Sequence, residues 1–473
     1  MTSKEKLFLL TIILITIFLY VPIFKYGFSQ DDFIHLFSSR ATNFYQVLNF
    51  FNPFAHFPDI FFYRPLTTQF YFFINNSLFG LNPLIYHLEA LLLHLLNTYL
   101  FFILVRKVWQ DKKIALISCL LYGTSAIHFL SLFYISSFQQ IGQMFFIFLT
   151  IILFLNYQEK QNKKYLIFLV LTFILSLLSK ETSIILPGLI FILEIIRKPN
   201  QNYIELKKLI LKLSPFLLMI TLYLLVRLLG FQSIFSQGSY QLEFTVKNFS
   251  QNLKWYILWI FGLPEIITTY PSISISSIKQ FTKDSNETIF ILSSYLLTVS
   301  ISIFATLSNL SKHKKLLILN LIFFLTSLLP VLFLKDHKYP QYLDKAFIVL
   351  LPTIAFSIIG LKKISRLYLT IFIISYMILQ FLSLRLTERI HWTTHRSEIA
   401  SYYLSKLRSQ DIKNKNIVFY GEESKLKEVS YALAIGYAPK VYFPNQINEV
   451  VYQVSNEVQK YPENQIIINI DKY

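Results

Sequence analysis

Residues 165–196 read YLIFLVLTFILSLLSKETSIILPGLIFILEII. Two apolar runs, 165–179 and 182–196, flank the dipeptide Lys180-Glu181. Each is close to the roughly 17 residues that a helix needs to cross a hydrocarbon core. An ionisable pair set between two such runs is expensive unless its members face a cavity or each other. A soluble chain has no use for this pattern; a helical hairpin in a membrane does.

The rest of the chain repeats that reading. Of 473 residues, 54% are apolar and 15% charged, with a mean hydropathy of +0.50. Soluble domains carry about 25% charge, and disordered chains are more polar still, so both classes are excluded. Further apolar runs lie at 6–24, 84–105, 114–133, 141–156, 209–229, 287–310, 316–334, 346–361 and 367–384, which makes eleven candidate spans. The first follows Lys4 and Lys6 like a signal peptide. It is too long for an h-region and has no small-x-small cleavage site, so it reads as an anchor. Cys119 is the single cysteine, so no disulfide forms within the chain.

The charge of +18 (44 Lys plus Arg against 26 Asp plus Glu) has two explanations, an anionic partner or basic turns on one membrane side. With a cytoplasmic N-terminus, the inward turns hold twenty basic residues, among them Arg106, Lys107, Lys112, Lys160, Lys163, Arg197, Lys198, Lys212, Lys315, Lys362 and Lys363. The longer outward connections hold about eleven, including Lys279 and Lys283. Basic residues spread over six turns exclude a nucleic-acid face. Residues 249–263 are apolar but short; they are expected to lie as an interfacial or re-entrant helix with Trp255 and Trp259 at headgroup level. Eleven spans put the C-terminus outside. The domains are then a membrane domain over 1–385, with outward loops 25–83 and 231–286, and a small α/β domain over 386–473. In the latter, strands are expected at 417–420, 441–443 and 466–470, and helices near 396–409, 422–435 and 447–459.

Five stretches can carry chemistry. Asp31-Asp32 opens the first outward loop, where a carboxylate within reach of a hydroxyl can act as a general base; a solvated loop would look the same. Arg64, in Tyr63-Arg64-Pro65, can pair with a phosphate or carboxylate or snorkel to headgroups. His87 and His94 share a helix face, at a spacing that suits hydrogen bonding better than metal ligation. Lys180 can offer positive charge to an anionic headgroup, or simply pair with Glu181. The segment from Lys335 to Lys345, with His337, Tyr339 and Tyr342, is dense in donors. On the topology above, Asp31, Asp32, Arg64, Lys180, Glu181 and this last loop all share the outward side.

This set, in this order, resembles the polyprenol-phosphate-dependent membrane glycosyltransferases of the GT-C fold, in particular the protein O-mannosyltransferase-like branch. The likeness is carried by Asp31-Asp32, Tyr63-Arg64-Pro65-Leu66-Thr67, Phe79-Gly80-Leu81-Asn82-Pro83 through His94 and Asn97, Ser179-Lys180-Glu181-Thr182, and His337 through Tyr342. It covers residues 5–360 and resembles the membrane portion of the tetratricopeptide-containing O-mannosyltransferases and their bacterial relatives. No tetratricopeptide array follows it. The resemblance implies an all-α polytopic membrane protein of about eleven transmembrane helices, GT-C-like, with a small C-terminal extracytoplasmic α/β domain, in a bacterial plasma membrane. It implies transfer of a sugar from a polyprenyl-phosphate donor to an acceptor hydroxyl on a protein, lipid or glycan, at the non-cytoplasmic face. Asp31 or Asp32 would be the base; Arg64, Lys180 and Glu181 would hold the donor phosphate; His87, His337, Tyr339 and Tyr342 would line the donor site. No cofactor is implied, and a divalent metal ion is compatible but not indicated. A flippase for lipid-linked sugars, or an inactive assembly subunit of the same fold, are the alternatives. The absence of an inverted repeat and of mid-span charges disfavours the flippase.

Overall fold

The computed structural model describes residues 2–199, 203–230, 241–266, 287–361, 365–454 and 464–470. Loop 231–286 is thus described only over 241–266, and Lys279, Lys283, Lys362 and Lys363 lie outside the described residues. The chain divides into two compact units that do not follow its linear order. Unit 1 takes Met1–Val21, Leu91–Phe129 and Gln140–Glu388; unit 2 takes Pro22–Ala90, Leu130–Gln139 and Arg389–Tyr473.

Eight helices among the described residues are long and apolar enough to cross a membrane: Ser3–Lys25, Pro83–Trp109, Lys112–Phe133, Ile135–Lys160, Ile204–Gly230, Thr288–Ser308, His313–Leu332 and Arg366–Ile390. This is a largely helical, multi-pass membrane protein. The other three apolar runs are helical but shorter. Within unit 1, α1 (Ser3–Tyr20) starts on a capping box, in which Thr2 and Glu5 satisfy each other's backbone N–H. Numbering the helices along the chain, α2 to α4 belong to the first loop, α5 is Pro83–Trp109 and α6 is Lys112–Thr124. The latter is capped by Asp111 through the N–H groups of Lys113 and Ile114. The helices α7 (Phe129–Phe133) and α8 (Phe138–Lys160) follow, then α9 (Lys163–Ser179) and α10 (Leu186–Arg197). Next come α11 (Tyr203–Gly230), α12 (Val246–Trp259), α13 (Thr288–Ser308), α14 (Leu310–Leu332), α15 (Phe347–Ile359) and α16 (Ser365–Ile390).

The turns expected to share a side are tied together at one end of unit 1. Glu5 pairs with Lys112 at 2.7 Å and Arg106 at 3.6 Å. Glu159 takes Lys107 at 3.1 Å and Arg197 at 3.3 Å, and Lys212 reaches Gln158 at 3.3 Å. Some twenty residues up α8, about 30 Å at 1.5 Å per residue, the start of that helix meets the other ends of α9 and α10 through Lys180 and Thr182. The short α9 and α10 therefore run between the same two levels as α8. So does α15, since Lys345 at its start reaches Gln143 while Phe356 near its end packs on Trp109 with ring centres 5.6 Å apart.

The helix expected at 249–263 forms as α12, with a difference. Asn248, Asn252, Trp255, Tyr256 and Trp259 fall at helical spacing on one buried face. Asn252 donates to the carbonyls of Leu332 and Leu334 at 2.8 Å each. Both tryptophans are buried in protein, because their face is the packing face.

Unit 2 joins the first loop to the tail. From the loop come α2 (Asp31–Ser38), α3 (Phe44–Asn49) and α4 (Tyr71–Phe79). From the tail come α17 (Trp392–Arg408), α18 (Glu423–Ala432), α19 (Tyr437–Tyr442) and three strands, β1 (Lys415–Gly421), β2 (Ile447–Val454) and β3 (Gln465–Asn469). The strands make a parallel sheet of order β2-β1-β3, with Val418 paired to Val451 and Ile467. Two assignments exchange places: Val441-Tyr442-Phe443, expected as a strand, closes a short helix, and 447–454, expected as helix, is an edge strand. The residues 455–459 of that expected helix lie outside the described residues. The β-branched Val450, Val451 and Val454 favour the pleated surface, whereas a run as short as three apolar residues carries no period to arbitrate. One core serves both parts: Phe28, Phe33, Leu36, Phe72 and Tyr86 pack with Ile399, Tyr403, Phe419 and Ala438.

Candidate functional site

Each unit holds one cluster of the residues singled out above. In unit 2, Gln30 precedes α2 with φ 47° and ψ −121°, a backbone region that non-glycine residues adopt only under constraint. That turn sends the two carboxylates to different fates. Asp32 is buried and fully occupied: Oδ2 accepts from Ser29 N at 2.8 Å, and Oδ1 accepts from Ser136 N at 2.7 Å and Ser136 Oγ at 2.5 Å. Burial pushes its carboxyl up to about 7, against those hydrogen bonds. Asp31 keeps part of its surface open. Its N–H donates to the Tyr134 hydroxyl at 3.0 Å, and its carboxylate is hydrogen-bonded by Tyr134 and by the Gln30 side chain. Desolvation raises it above the usual carboxylate range.

Arg64 is nearly inaccessible, at 1% exposure. Its Nη1 donates to Gln139 Oε1 at 2.6 Å, and its guanidinium lies 4.1 Å from the Phe62 ring centre. His35 is buried too; burial and then the Arg64 charge hold it down at about 3, so it is a neutral imidazole. Its Nδ1 finds no hydrogen-bond partner among the described residues. His87 is fully buried, with Nδ1 3.1 Å from the Leu132 carbonyl, which is a structural placement. Its helix-face companion His94 lies in unit 1, with Nε2 3.0 Å from the Gly123 carbonyl.

In unit 1, Lys180 is 3% exposed and donates to Gln140 Oε1 at 2.7 Å, with its ammonium 4.7 Å from the Tyr342 ring centre. His337 and Tyr339 complete the aromatic group: the His337 ring centre is 4.8 Å from Tyr339 and 5.9 Å from Tyr342. A second buried ammonium stands beside them. Lys345, 1% exposed, donates to Gln143 Oε1 at 3.3 Å, and burial pushes it down to about 8. Gln140 and Gln143, one turn apart on α8, are the hinge of the cluster. Gln140 Nε2 donates to Asp344 Oδ2 at 3.1 Å, and Gln143 Nε2 to Thr182 Oγ1 at 2.9 Å and Ser183 Oγ at 2.7 Å. His128 Nδ1 sits 3.1 Å from Asp344 Oδ1, and Glu181 reaches Arg227 at 3.8 Å. Two buried ammonium groups, one against Gln140 and Tyr342 and the other against Gln143, can receive an anion that replaces lost water.

The sequence marks Asp31, Asp32, Arg64 and Lys180, and Lys345 only as the end of a donor-dense segment; it does not mark Gln30, His35, Tyr134, Gln139, Gln140, Gln143 or Arg396. Gln139, Gln140 and Gln143 carried a usable signal, since amides at the mouth of an apolar run must find partners. Among the described residues no group of three or more His, Cys, Asp and Glu is placed to hold a metal ion.

No protein-family model and no curated protein matches the sequence. Solved structures resemble it, among them two of oligosaccharyltransferases. The apo oligosaccharyltransferase of Archaeoglobus fulgidus overlaps with a TM-score of 0.49 at 12% identity, over 92% of this chain and 64% of that one. The archaeal oligosaccharyltransferase AglB from Archaeoglobus fulgidus, in complex with an inhibitory peptide and a dolichol-phosphate, overlaps at 0.48 and 10% identity, over 95% and 69%. The chain thus spans less than two thirds of the length of the first. A TM-score below 0.5 at such identity is a loose likeness and assigns no residue a role.

Proposed function

We propose that this protein is a glycosyltransferase that moves a sugar from a polyprenyl-phosphate donor to an acceptor hydroxyl, in the manner of the protein O-mannosyltransferase-like enzymes its motifs resemble. The observation that carries the reading is the division of labour in the Asp pair: Asp32 locked by Ser29 and Ser136, Asp31 open and held by Tyr134 and Gln30. Asp31 takes the proton of the acceptor hydroxyl as its oxygen attacks the anomeric carbon. The bond from that carbon to the phosphate oxygen breaks, and its electron pair leaves on the polyprenyl phosphate. An Asp that stays reachable while desolvation raises its basicity suits proton abstraction. Arg64, in the same unit as Asp31, is held for the charge that gathers on the departing phosphate; Lys180 and Lys345 are the cations that unit 1 offers to an anion of the same kind. The active face is non-cytoplasmic, the N-terminus cytoplasmic, and the acceptor a protein, lipid or glycan.

The test is hexose transfer from polyprenyl-phosphate hexose by membranes that contain the protein. Asp31→Asn is expected to lower transfer about 10²–10⁴-fold while the protein stays inserted. Equal transfer by Asp31→Asn and wild type would remove the base assignment. A glycome comparison of a deletion strain with its parent then names sugar and acceptor.

A further inference from the structure

The tail reaches the acid pair through one side chain. Arg396, on α17, donates from Nη1 to Gln30 Oε1 at 2.6 Å. Its other nitrogens are fixed by Glu428 on α18, Nε at 2.9 Å and Nη2 at 3.0 Å, and its guanidinium lies between the rings of Tyr431, 4.7 Å away, and Trp392, 5.1 Å away. A guanidinium held in this way has no freedom to turn. Gln30 is in turn held by its backbone, whose N–H donates to the Ala432 carbonyl at 3.1 Å, and its neighbour Gly27 is clasped by Ser397 Oγ at 2.7 Å. These tail contacts sit on and just before Gln30, whose positive φ sets the turn directly ahead of Asp31.

An amide whose oxygen faces a guanidinium must present its NH₂ on the other side. The Gln30 side chain, next to Asp31 in the chain, is also a hydrogen-bond partner of the Asp31 carboxylate. We infer that Arg396 is a positioning residue for Asp31, acting through Gln30: the tail fixes the amide's orientation, and the amide fixes the carboxylate. The inference rests on the reading of Asp31 as the base, and it makes the C-terminal domain a working part of the catalytic apparatus rather than an appended module. The charged groups around the relay are Asp32 from α2, Arg396 from α17, and Glu428 and Lys427 from α18. Arg396 and the Gln30 amide both favour the ionised form of Asp31, so loss of either raises the pH at which Asp31 ionises.

The experiment measures that pH directly in the full-length protein. Carbodiimide couples to protonated carboxyls, so the extent of labelling of Asp31 against pH, read by peptide mass spectrometry, gives a midpoint without any donor. Arg396→Met is expected to move the midpoint up by about half a pH unit or more, and Arg396→Lys to restore part of the shift. Gln30→Gly accepts the positive φ at no steric cost, so it keeps the fold while it breaks the relay, and it is expected to give the same upward shift. In transfer assays, Arg396→Met is expected to lower kcat at least tenfold with the apparent donor KM within twofold. An unchanged labelling midpoint in Gln30→Gly and Arg396→Met overturns the inference, whatever the activity. A shifted midpoint with Asp31→Asn fully active would instead overturn the assignment of the base and leave the relay standing.

Discussion

Two lysines, Lys180 and Lys345, meet the two amides of Gln140 and Gln143 in the same buried cluster. Lys345 is held down to about 8 by desolvation, against the favourable charges of Asp344 and Glu181. It is therefore a cation below pH 8 and loses its charge as pH rises through that value. If it helps to hold the donor phosphate, the apparent donor KM should climb several-fold between pH 7 and 9, while Lys345→Arg, which stays charged, removes that limb. A KM flat across the range in wild type would separate Lys345 from the donor. Lys180 was legible in the sequence because it interrupts two apolar runs. Lys345 was not, because it stands at the end of a segment already full of charges, and only packing distinguishes a buried ammonium from a solvated one. The Asp pair was equally legible as a pair, but its two roles depend on Ser136 and Tyr134, about a hundred residues away in the chain.

At the scale of elements, α6 shows what close packing requires. A Cβ at Gly123 would meet Thr98 Cγ2 at 2.8 Å and Thr16 Oγ1 at 2.9 Å, so α1, α5 and α6 approach there because no side chain intervenes. Gly123→Ala should lower stability by about 1–3 kcal/mol, seen as a fall of several degrees in the detergent Tm. An unchanged Tm would mean that the two threonines turn aside freely. Long apolar elements were readable by length alone. The exchange of strand and helix at 441–443 and 447–454 was not, because short segments take their conformation from their neighbours: β2 exists because β1 offers it a partner.

At the scale of the whole molecule, the number of crossings sets where the tail lies. The helices α9 and α10 are joined by the tight turn at Lys180-Glu181, so as a pair they return the chain to the level where it started and do not alter the side of anything after them. The helix α15, 13 residues long, is single, and its crossing decides the parity. A compartment reporter fused after residue 473 is expected to read extracytoplasmic, with a reporter in the 309–315 turn reading cytoplasmic. Both on one side would mean that α15 does not cross. The sequence argument for sidedness rested on twenty basic residues, and the mutual ties of Glu5, Glu159, Arg106, Lys107, Lys112 and Arg197 show why those turns had to share an end. What composition could not show is that residues 22–90 and 389–473 fold as one body.

That discontinuity has a timing attached to it. Gln30 and Arg396 are 366 residues apart, so at about 5–20 residues per second the ribosome needs roughly 20–70 s to deliver the second after the first. Throughout that interval the first loop waits with Phe28, Phe33 and Leu36 lacking the aromatic and aliphatic partners that the tail supplies. A chain cut short before the tail leaves Gln30 without its clamp and its apolar neighbours uncovered, which exposes it to proteolysis.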